Sequence, residues 1–135
     1  MSPEKRSALM ARIRGRDTGP EKAIAIALMQ RGLAFETHAT DLPGRPDIVL
    51  RAARIAVFVD GDFWHGWQFS RWRHKLSEHW ENKIETNMRR DARNFRKLRA
   101  SGWIVVRVWE HQITTDLPAC IARIVAAKRR RRKAD

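Results

Sequence analysis

The amino-acid sequence predicts a single mixed α/β domain, and three observations support this class. Segments with helical and strand-like patterns follow one another in the order helix, three strands, helix, strand, helix. The run Ile55–Val59 is apolar at every position, which is typical of a central strand covered on both faces. The chain has 135 residues and no Gly/Ser-rich or Pro-rich linker, so it can build one domain with its own core.

Two helices are predicted before the first strand. Residues 3–13 form a short basic helix, and a second helix runs from about Gly19 to Arg31. Thr18 and Glu21 have the Thr-x-x-Glu spacing of a capping box at the start of the second helix. Gly32 is placed to end it, because glycine readily adopts the left-handed conformation found at helix ends.

Four strands are predicted, and two of them form a hairpin. Leu33–Thr37, Asp47–Leu50 and Ile55–Asp60 follow the second helix, and Trp103–Trp109 comes near the end of the chain. Residues 51–54 separate the second and third strands, which is a length that fits a hairpin turn. We therefore expect these two strands to pair with each other.

The strongest helical pattern runs from the predicted cap Ser77 to Gly102. One stripe of this helix, at spacings of three and four residues, contains Trp80, Ile84, Asn87, Asp91, Phe95 and Leu98. Asp91 is unexpected on a face that only packs against a core, because a buried carboxylate needs a partner. The stripe therefore indicates that this face of the helix does not only pack against a core.

A last helix is predicted over Pro118–Lys128, and a basic tail follows it. Residues 128–135 hold six cations and one anion, and we expect them to be a disordered arm outside a domain of residues 1–127. The chain has 28 Lys and Arg against 15 Asp and Glu, a net charge of +13, and residues 1–127 retain +8 of it. A positive charge spread along the chain favours nucleic acid as the partner.

Several other classes of protein are excluded. The single cysteine, Cys120, allows no intramolecular disulfide and no zinc site built mainly from cysteine. The longest unbroken apolar run, Ala23–Met29, has seven residues, whereas a membrane span needs about 20. Residues 1–16 are too charged for a signal peptide. We expect a cytoplasmic protein with no membrane partner.

Two carboxylates flank the predicted hairpin. Asp47 begins one strand and Asp60 ends the next, so pairing of these strands would bring both side chains to one edge of the sheet. Close carboxylates repel each other unless a proton or cation intervenes, and Mg²⁺ commonly binds one or two carboxylates together with phosphate oxygens. Such an ion can polarise a phosphodiester and help to ionise an attacking water. The alternative is that Asp47 and Asp60 are ordinary turn residues.

The segment Asp62-Phe63-Trp64-His65-Gly66 follows Asp60 almost directly. His65 is suited to general base catalysis near neutral pH, and a histidine satisfied within a loop is the alternative. Phe63 and Trp64 are adjacent and cannot both easily enter the core, so one or both are candidates for stacking on bases. The alternative for this pair is that Trp64 fills the core and Phe63 covers a hinge.

Several motifs occur together and in order over about residues 6–113. They are Met10 with Arg12, Thr18-x-x-Glu21-Lys22, Asp41-Leu-Pro-Gly-Arg-Pro-Asp-Ile-Val49, Val59-Asp-Gly-Asp-Phe-Trp-His-Gly66, Asn87 with Arg90-Asp91, Gly102-Trp-Ile-Val105 and Val108-Trp-Glu110. In combination they resemble the motifs of the very-short-patch-repair mismatch endonucleases.

The resemblance implies a nicking endonuclease with the PD-(D/E)XK restriction-endonuclease-like fold, a mixed central β-sheet flanked by α-helices. It implies Mg²⁺-dependent cleavage of the strand that bears the thymine of a T·G mismatch, on the 5′ side of the thymine. Asp47 would be the principal metal ligand, and the main-chain carbonyl of Val59 would be another. His65 corresponds to a catalytic histidine, and Glu21 and Asp91 correspond to active-site acids.

The resemblance also implies how the chain contacts double-stranded DNA. Phe63, Trp64 and Trp80 correspond to aromatic residues that wedge into the duplex beside the mismatch, where base pairing is already poor and opening costs less. The other expected DNA-binding residues are Arg45, Asn87 and Arg90.

The chain departs from the family pattern at two places. Members with a structural zinc ion have Cys or His at the positions of Asp62, Trp67, Phe69 and His111, and only His111 could serve as a histidine ligand here. We therefore expect no structural zinc, and apolar packing by Trp67 and Phe69 instead. Where some members have a second catalytic histidine, this chain has Asp60, which we expect to bind the metal beside Asp47.

The principal hypothesis is a monomeric, Mg²⁺-dependent endonuclease that acts on mismatched DNA in a bacterial-type cytoplasm, associated with the nucleoid. One alternative is an endonuclease of the same fold that cuts matched DNA, as a homing or defence enzyme. The other is a non-catalytic DNA-binding protein that uses only its basic surface.

Overall fold

A four-stranded mixed sheet forms the centre of the fold. The computed structural model describes residues 19–134, with side chains as far as residue 131. The strands are β1 (Glu36–Thr37), β2 (Ile48–Leu50), β3 (Ile55–Asp60) and β4 (Ile104–Trp109), in the spatial order β1-β2-β3-β4. β2 pairs antiparallel with β1 and β3, and β3 pairs parallel with β4. The predicted hairpin and the mixed α/β class are confirmed.

Helices cover both faces of this sheet. They are α1 (Gly19–Gln30), α2 (Phe69–Trp72), α3 (Glu78–Ala100) and α4 (Glu110–Ala134), with a 3₁₀ turn at Arg73–Lys75. The helix predicted over residues 3–13 and the capping residue Thr18 lie outside the described residues. Between residues 19 and 134, no helix is long and apolar enough to span a membrane.

Strand β3 is covered on both faces, as its apolar sequence predicts. Ile55 and Val57 belong to a core cluster with residues of α1 and α4. Ala56 and Phe58 belong to a second cluster with residues of α3. This alternation follows the two-residue repeat of a strand. As a consequence, α1 and α3 approach the sheet from opposite faces.

The end of α1 explains why β1 is shorter than predicted. Gly32 has a φ of 73°, and the N–H of Leu33 bonds back to the carbonyl of Leu28 at 3.1 Å, which is the hydrogen bond of a Schellman motif. Leu33 therefore completes the helix end. Only Glu36–Thr37 of the strand predicted over Leu33–Thr37 pair with β2.

The C-terminal helix begins close to the predicted start at Pro118, but an unpredicted helical segment precedes it and its end lies beyond the predicted one. α4 begins directly after β4 and bends at Asp116 (φ −154°, ψ 69°). The carboxylate of Asp116 accepts the N–H of Ala119 at 3.2 Å and so caps the part of the helix that follows. The helix then continues to Ala134, so the predicted end at Lys128 must be corrected.

The basic segment after Lys128 is helical up to Ala134, where disorder was expected. Lys and Arg are good helix formers. In addition, Arg131 donates hydrogen bonds to the carbonyls of Ala53 at 2.9 Å and Gly102 at 2.5 Å. These tertiary contacts hold the segment against the sheet, and a charge pattern alone does not reveal them.

Candidate active site

Asp47 and Asp60 lie at the same end of the sheet, opposite the hairpin turn. Asp47 precedes β2 and donates its N–H to the carbonyl of Val57 at 3.0 Å, and Asp60 is the last residue of β3. Both residues line one cavity of about 490 Å³. The other residues that line it are Gly44, Arg45, Phe58, Val59, His65, Arg90, Asp91 and Asn94. The hairpin thus brings together residues that are far apart in the sequence.

Asp47 is a largely buried carboxylate. Its Oδ2 accepts a hydrogen bond from the N–H of Val59 at 2.7 Å. Burial raises the pKa of Asp47 from 3.8 to about 7, and the Glu21 and Asp60 carboxylates reinforce this rise, whereas the Val59 N–H and His38 oppose it. The carboxylate is therefore unfavourable to ionise at neutral pH, and a bound cation would favour its charged form.

Glu21, on α1, and His38 lie beside Asp47 and form a second group of polar side chains. Oε1 of Glu21 and Nε2 of His38 share a hydrogen bond, and ligand atoms of Glu21, His38 and Asp47 all lie within 4.8 Å of one another. His38 has a φ of 54°, and its N–H donates to the carbonyl of Asp47 at 3.0 Å. The structure therefore places Glu21 beside Asp47 and adds His38, which the sequence pattern did not indicate. Glu21 is not among the described residues that line the cavity.

A second cluster joins Asp60, His65, Asp91 and Arg107. Oδ2 of Asp91 accepts hydrogen bonds from His65 Nδ1 at 2.7 Å and from Arg107 Nη2 at 3.1 Å. Oδ2 of Asp60 accepts Arg107 Nε at 2.6 Å, and its Oδ1 lies 3.6 Å from His65 Nε2. Asp60 and Asp91 are only 4% and 8% exposed, so the positive charge of Arg107 offsets part of the repulsion between two buried carboxylates.

Arg107 belongs to this cluster, although the sequence analysis did not predict it. It pairs in register with Phe58 on β3, and Asp60 is two residues further along, so Arg107 and Asp60 share the face of the sheet covered by α3. Its guanidinium carbon lies 4.2 Å from the ring centroid of Trp109 and 5.1 Å from that of Phe95. A signal was present in the sequence, because an arginine interrupts the otherwise apolar strand β4.

The pKa values of His65 and Asp60 are both shifted within this cluster. The hydrogen bond to Asp91 raises the pKa of His65, burial opposes the rise, and the Asp60 charge adds to it. The pKa of Asp60 is also raised, because burial outweighs the lowering effects of His65 and Arg107. His65 is thus held at Nδ1 by one carboxylate, which leaves Nε2 on the side of Asp60. This is the arrangement of an imidazole oriented for proton transfer.

Phe63, Trp64 and Trp80 form an exposed aromatic cluster. They are 42%, 46% and 39% exposed, respectively. The ring centroid of Trp64 lies 5.1 Å from that of Phe63 and 5.6 Å from that of Trp80. Lys83 Nζ lies 5.7 Å from the Trp64 centroid and 5.5 Å from the Trp80 centroid. The alternative in which Trp64 fills the core is therefore wrong.

Two contacts hold the loop that carries His65 against α3. Nδ2 of Asn87 donates to the carbonyl of Trp64 at 3.1 Å, which gives the polar residue of the stripe a partner. Gly66 has a φ of 79°, and a Cβ at this position would lie 2.4 Å from Sδ of Met88. Only glycine fits this close approach without strain. The loop on either side of His65 is thereby fixed.

Arg45 and Arg90 line the cavity as exposed cations. Arg45 has a φ of 50° in the tight loop that precedes Asp47, and Arg90 directly precedes Asp91 on α3. Two positive charges thus stand beside the buried carboxylates. This is a suitable arrangement for a phosphate that approaches a negatively charged site.

Three of the four positions considered for a structural zinc ion, Asp62, Trp67 and His111, contact one another. His111 Nδ1 and Asp62 Oδ1 are 2.8 Å apart. The ring of Trp67 lies 4.5 Å from that of His111 and 5.1 Å from that of Trp109, centroid to centroid. Phe69 is 4% exposed. Trp67 thus packs against Trp109 and His111, whereas the buried Phe69 packs against Trp72.

Similarity to known proteins extends over most of the chain. The family model described as DNA mismatch endonuclease Vsr matches residues 1–71. The type II nicking enzyme V.XorIIP of Xanthomonas oryzae pv. oryzae is 41% identical over 126 residues, which cover 92% of each protein. The DNA mismatch endonuclease Vsr of Escherichia coli (strain K12) is 40% identical over 107 residues, 78% of this chain and 69% of that protein. The type II nicking enzyme V.NmeDIP of Neisseria meningitidis serogroup C is 33% identical over 132 residues, 96% of this chain and 89% of that protein.

Proposed function

The chain belongs to the Vsr family of DNA mismatch endonucleases, and from this premise we propose that it nicks one strand of double-stranded DNA at a T·G or related mismatch in a Mg²⁺-dependent reaction. Membership of this family makes the chain a DNA endonuclease and sets aside the alternative of a non-catalytic DNA-binding protein. The observation that carries the proposal is the cavity that Asp47, Asp60, His65 and Asp91 all line.

The Asp47 side of the cavity fits a hard divalent cation. The oxygen donors would be the Asp47 carboxylate, the main-chain carbonyl of Val59 and Oδ1 of Asp60, since Oδ2 of Asp60 is held by Arg107. The burial that raises the pKa of Asp47 to about 7 supports this fit, because a cation would offset the penalty of ionisation. When bound, Mg²⁺ would polarise the scissile phosphate and lower the pKa of a coordinated water.

His65 would accept the proton of the attacking water at Nε2. Its Nδ1 is bound to Asp91 at 2.7 Å, so the ring cannot turn freely and its charged form is stabilised once the proton arrives. Glu21 would be the additional active-site acid beside Asp47, and its hydrogen bond to His38 holds the Glu21 carboxylate in place. These assignments use all five predicted catalytic side chains, and Asp60 would lie next to both the cation and His65.

The exposed aromatic cluster would recognise the mismatch by insertion. Unstacking a base step costs a few kcal/mol in paired DNA and less where pairing is already poor. Phe63, Trp64 and Trp80 present apolar rings to solvent next to the loop of His65, which is the position such a wedge requires. Phosphate contacts would come from Arg45 and Arg90. Asn87, which holds the main chain of Trp64, would support the cluster from α3.

We propose that the active species is a monomer acting on chromosomal DNA in the cytoplasm, in association with the nucleoid. Every catalytic and DNA-binding assignment above uses residues of one chain. The cavity and the aromatic cluster are both accessible in that chain.

The test is a nicking assay on three duplexes that differ at one base pair, T·G, C·A and T·A. With Mg²⁺, the wild-type chain is expected to nick the T·G duplex in one strand and faster than the T·A duplex. An Asp47→Asn variant should lose nicking and keep its affinity for DNA, because it removes a negative charge from a phosphate-binding surface. Asp41→Asn is the control, since it removes the same charge from an exposed residue of the same loop.

The outcomes separate the hypotheses. Equal nicking of all three duplexes would identify an endonuclease that acts on matched DNA. Full activity after addition of a chelator, or in Asp47→Asn, would refute the metal assignment. Preference for C·A over T·G would retain the mismatch endonuclease and change its substrate.

A further inference from the structure

We propose that Arg107 is a positioning residue, which fixes the separation of Asp60 and Asp91 and, through Asp91, the orientation of His65. The inference rests on the proposed cleavage reaction, because His65 and Asp60 are assigned to it. Arg107 is not among the described residues that line the cavity. Its influence on the reaction would therefore pass through the carboxylates and not through contact with DNA.

The guanidinium binds the two carboxylates with different nitrogens. Nε donates to Asp60 Oδ2 at 2.6 Å, and Nη2 donates to Asp91 Oδ2 at 3.1 Å. A guanidinium is planar and carries its N–H groups in a rigid fork, so two such bonds fix the distance and angle between the carboxylates. An ammonium group supplies the same charge without that geometry.

Asp91 links Arg107 to His65. The same oxygen, Oδ2, accepts Arg107 Nη2 and His65 Nδ1, the latter at 2.7 Å. An ionised carboxylate only accepts hydrogen bonds, so Nδ1 of His65 carries a proton and the neutral ring has Nε2 free as an acceptor. The position of Arg107 thus decides where Asp91 presents its oxygen and hence which tautomer and orientation His65 adopts.

Arg107 is itself held in place by aromatic rings. Its Cζ lies 4.2 Å from the Trp109 centroid and 5.1 Å from the Phe95 centroid, within the range of cation–π contacts. Trp109 in turn packs against Trp67 at 5.1 Å. The guanidinium is therefore confined by packing as well as by its ion pairs.

The charge of Arg107 also serves the cluster. Ligand atoms of Asp60, His65 and Asp91 all lie within 4.8 Å of one another, which is an arrangement that could hold a metal ion. Arg107 already supplies a positive charge to both of these carboxylates.

The experiment compares Arg107→Met, Arg107→Lys and the control Arg123→Met, which removes the same charge from an exposed residue of α4. Single-turnover nicking of a T·G duplex is measured with excess enzyme and Mg²⁺ at low temperature, and affinity for the same duplex by fluorescence anisotropy. Arg107→Met is expected to lower the rate by about 10–100-fold, the usual effect of losing an outer hydrogen-bond partner. Affinity should stay unchanged, Arg107→Lys should give an intermediate rate, and Arg123→Met should match the wild type.

A second readout follows His65 directly. Two-bond ¹H–¹⁵N spectra of imidazole-labelled protein, with the signal assigned through His65→Gln, report which ring nitrogen carries the proton. We expect the Nδ1–H tautomer in the wild type and a loss of its predominance in Arg107→Met. A purely structural role would reduce the folded fraction and leave the tautomer of the folded molecules unchanged.

The results can overturn the proposal in three ways. A wild-type rate in folded Arg107→Met, or in Arg107→Lys if Arg107→Met does not fold, would show that the reaction does not need the guanidinium geometry of Arg107. A parallel loss of rate and affinity would make Arg107 a DNA ligand. If the wild type itself does not nick the T·G duplex, the proposed function fails, while the His65 spectra still decide whether Arg107 sets the tautomer.

Discussion

Replacement of Asp47 by asparagine should stabilise the metal-free chain above neutral pH and abolish cleavage. Burial and the neighbouring Glu21 and Asp60 carboxylates raise the pKa of Asp47 from 3.8 to about 7. At 1.36 kcal/mol per pKa unit, this rise corresponds to about 4 kcal/mol of unfavourable ionisation in the folded state. Asparagine keeps an acceptor for the Val59 N–H, although the bond becomes neutral and weaker, so a net gain of about 3 kcal/mol is expected.

The sign of the effect depends on pH. A carboxyl group whose pKa is raised by folding binds its proton more tightly in the folded chain, so its penalty is absent below about pH 4, the unfolded pKa. The penalty grows as the pH rises to about 7 and is constant above that value. The stability difference between Asp47→Asn and the wild type should therefore increase by about 2–3 kcal/mol between about pH 5 and pH 8. At pH 8, the stability difference corresponds to a Tm of Asp47→Asn that is higher than that of the wild type by roughly 10 °C, for a domain of this size.

The assay is thermal or urea unfolding in a chelator at several pH values, repeated with Mg²⁺. Asp41→Asn is the matched control. The hydrogen bond to Arg51 lowers the pKa of the exposed Asp41, so this variant should not gain stability at high pH. Mg²⁺ at 100 times its Kd should stabilise the wild type by about 2.7 kcal/mol and so raise its Tm, and it should leave the stability of Asp47→Asn unchanged. Parallel stability–pH curves for Asp47→Asn and the wild type would refute the assigned burial penalty.

Three further predictions concern DNA binding and the catalytic loop. Trp64→Ala should weaken binding to a T·G duplex by about 1–3 kcal/mol, since one stacked base is lost, and should lower the Tm only slightly because nearly half of the residue is exposed. Anisotropy titrations should show affinity falling about a thousandfold between ~50 and ~200 mM salt if about six phosphates are contacted, and Arg45→Gln or Arg90→Gln should each reduce the logarithmic slope by about 1. Gly66→Ala should destabilise the fold by about 1–3 kcal/mol, because its Cβ would meet Met88 and its φ is positive; calorimetry on Gly66→Ala/Met88→Ala should recover only part of the loss.

The parts of the fold that local patterns determine were predictable from the sequence. β3 lies at its predicted bounds, Ile55–Asp60, because an apolar run of this length has few alternatives to a central strand. Ser77 and Gly102 bound α3 as expected, because capping and left-handed glycine are local properties. The helical course of residues 128–134 was not predictable in the same way, since it depends on Arg131 reaching the carbonyls of two distant turns.

The residues of the candidate site also differ in how far the sequence alone predicts them. Asp47, Asp60 and His65 could be proposed because strand ends and a hairpin bring them to one edge, and Asp91 because a carboxylate interrupts an apolar stripe. Arg107 interrupts a strand in the same manner, but its partners come from β3 and α3, so only the assembled sheet shows what it binds. Charged residues on edge strands are common, and this made the signal easy to miss.

The two halves of the site differ in how their negative charge is balanced. On the α3 side, Asp60 and Asp91 share the guanidinium of Arg107, which the fold itself supplies. On the α1 side, the Glu21 and Asp60 carboxylates and burial itself act on Asp47 to disfavour its charge, and a main-chain N–H is its direct hydrogen-bond donor. On the α3 side one guanidinium serves two carboxylates, and the pKa of Asp60 remains raised because burial outweighs the effects of His65 and Arg107. A divalent ion held by Asp47 and Asp60 together would therefore favour the ionised form of both carboxylates.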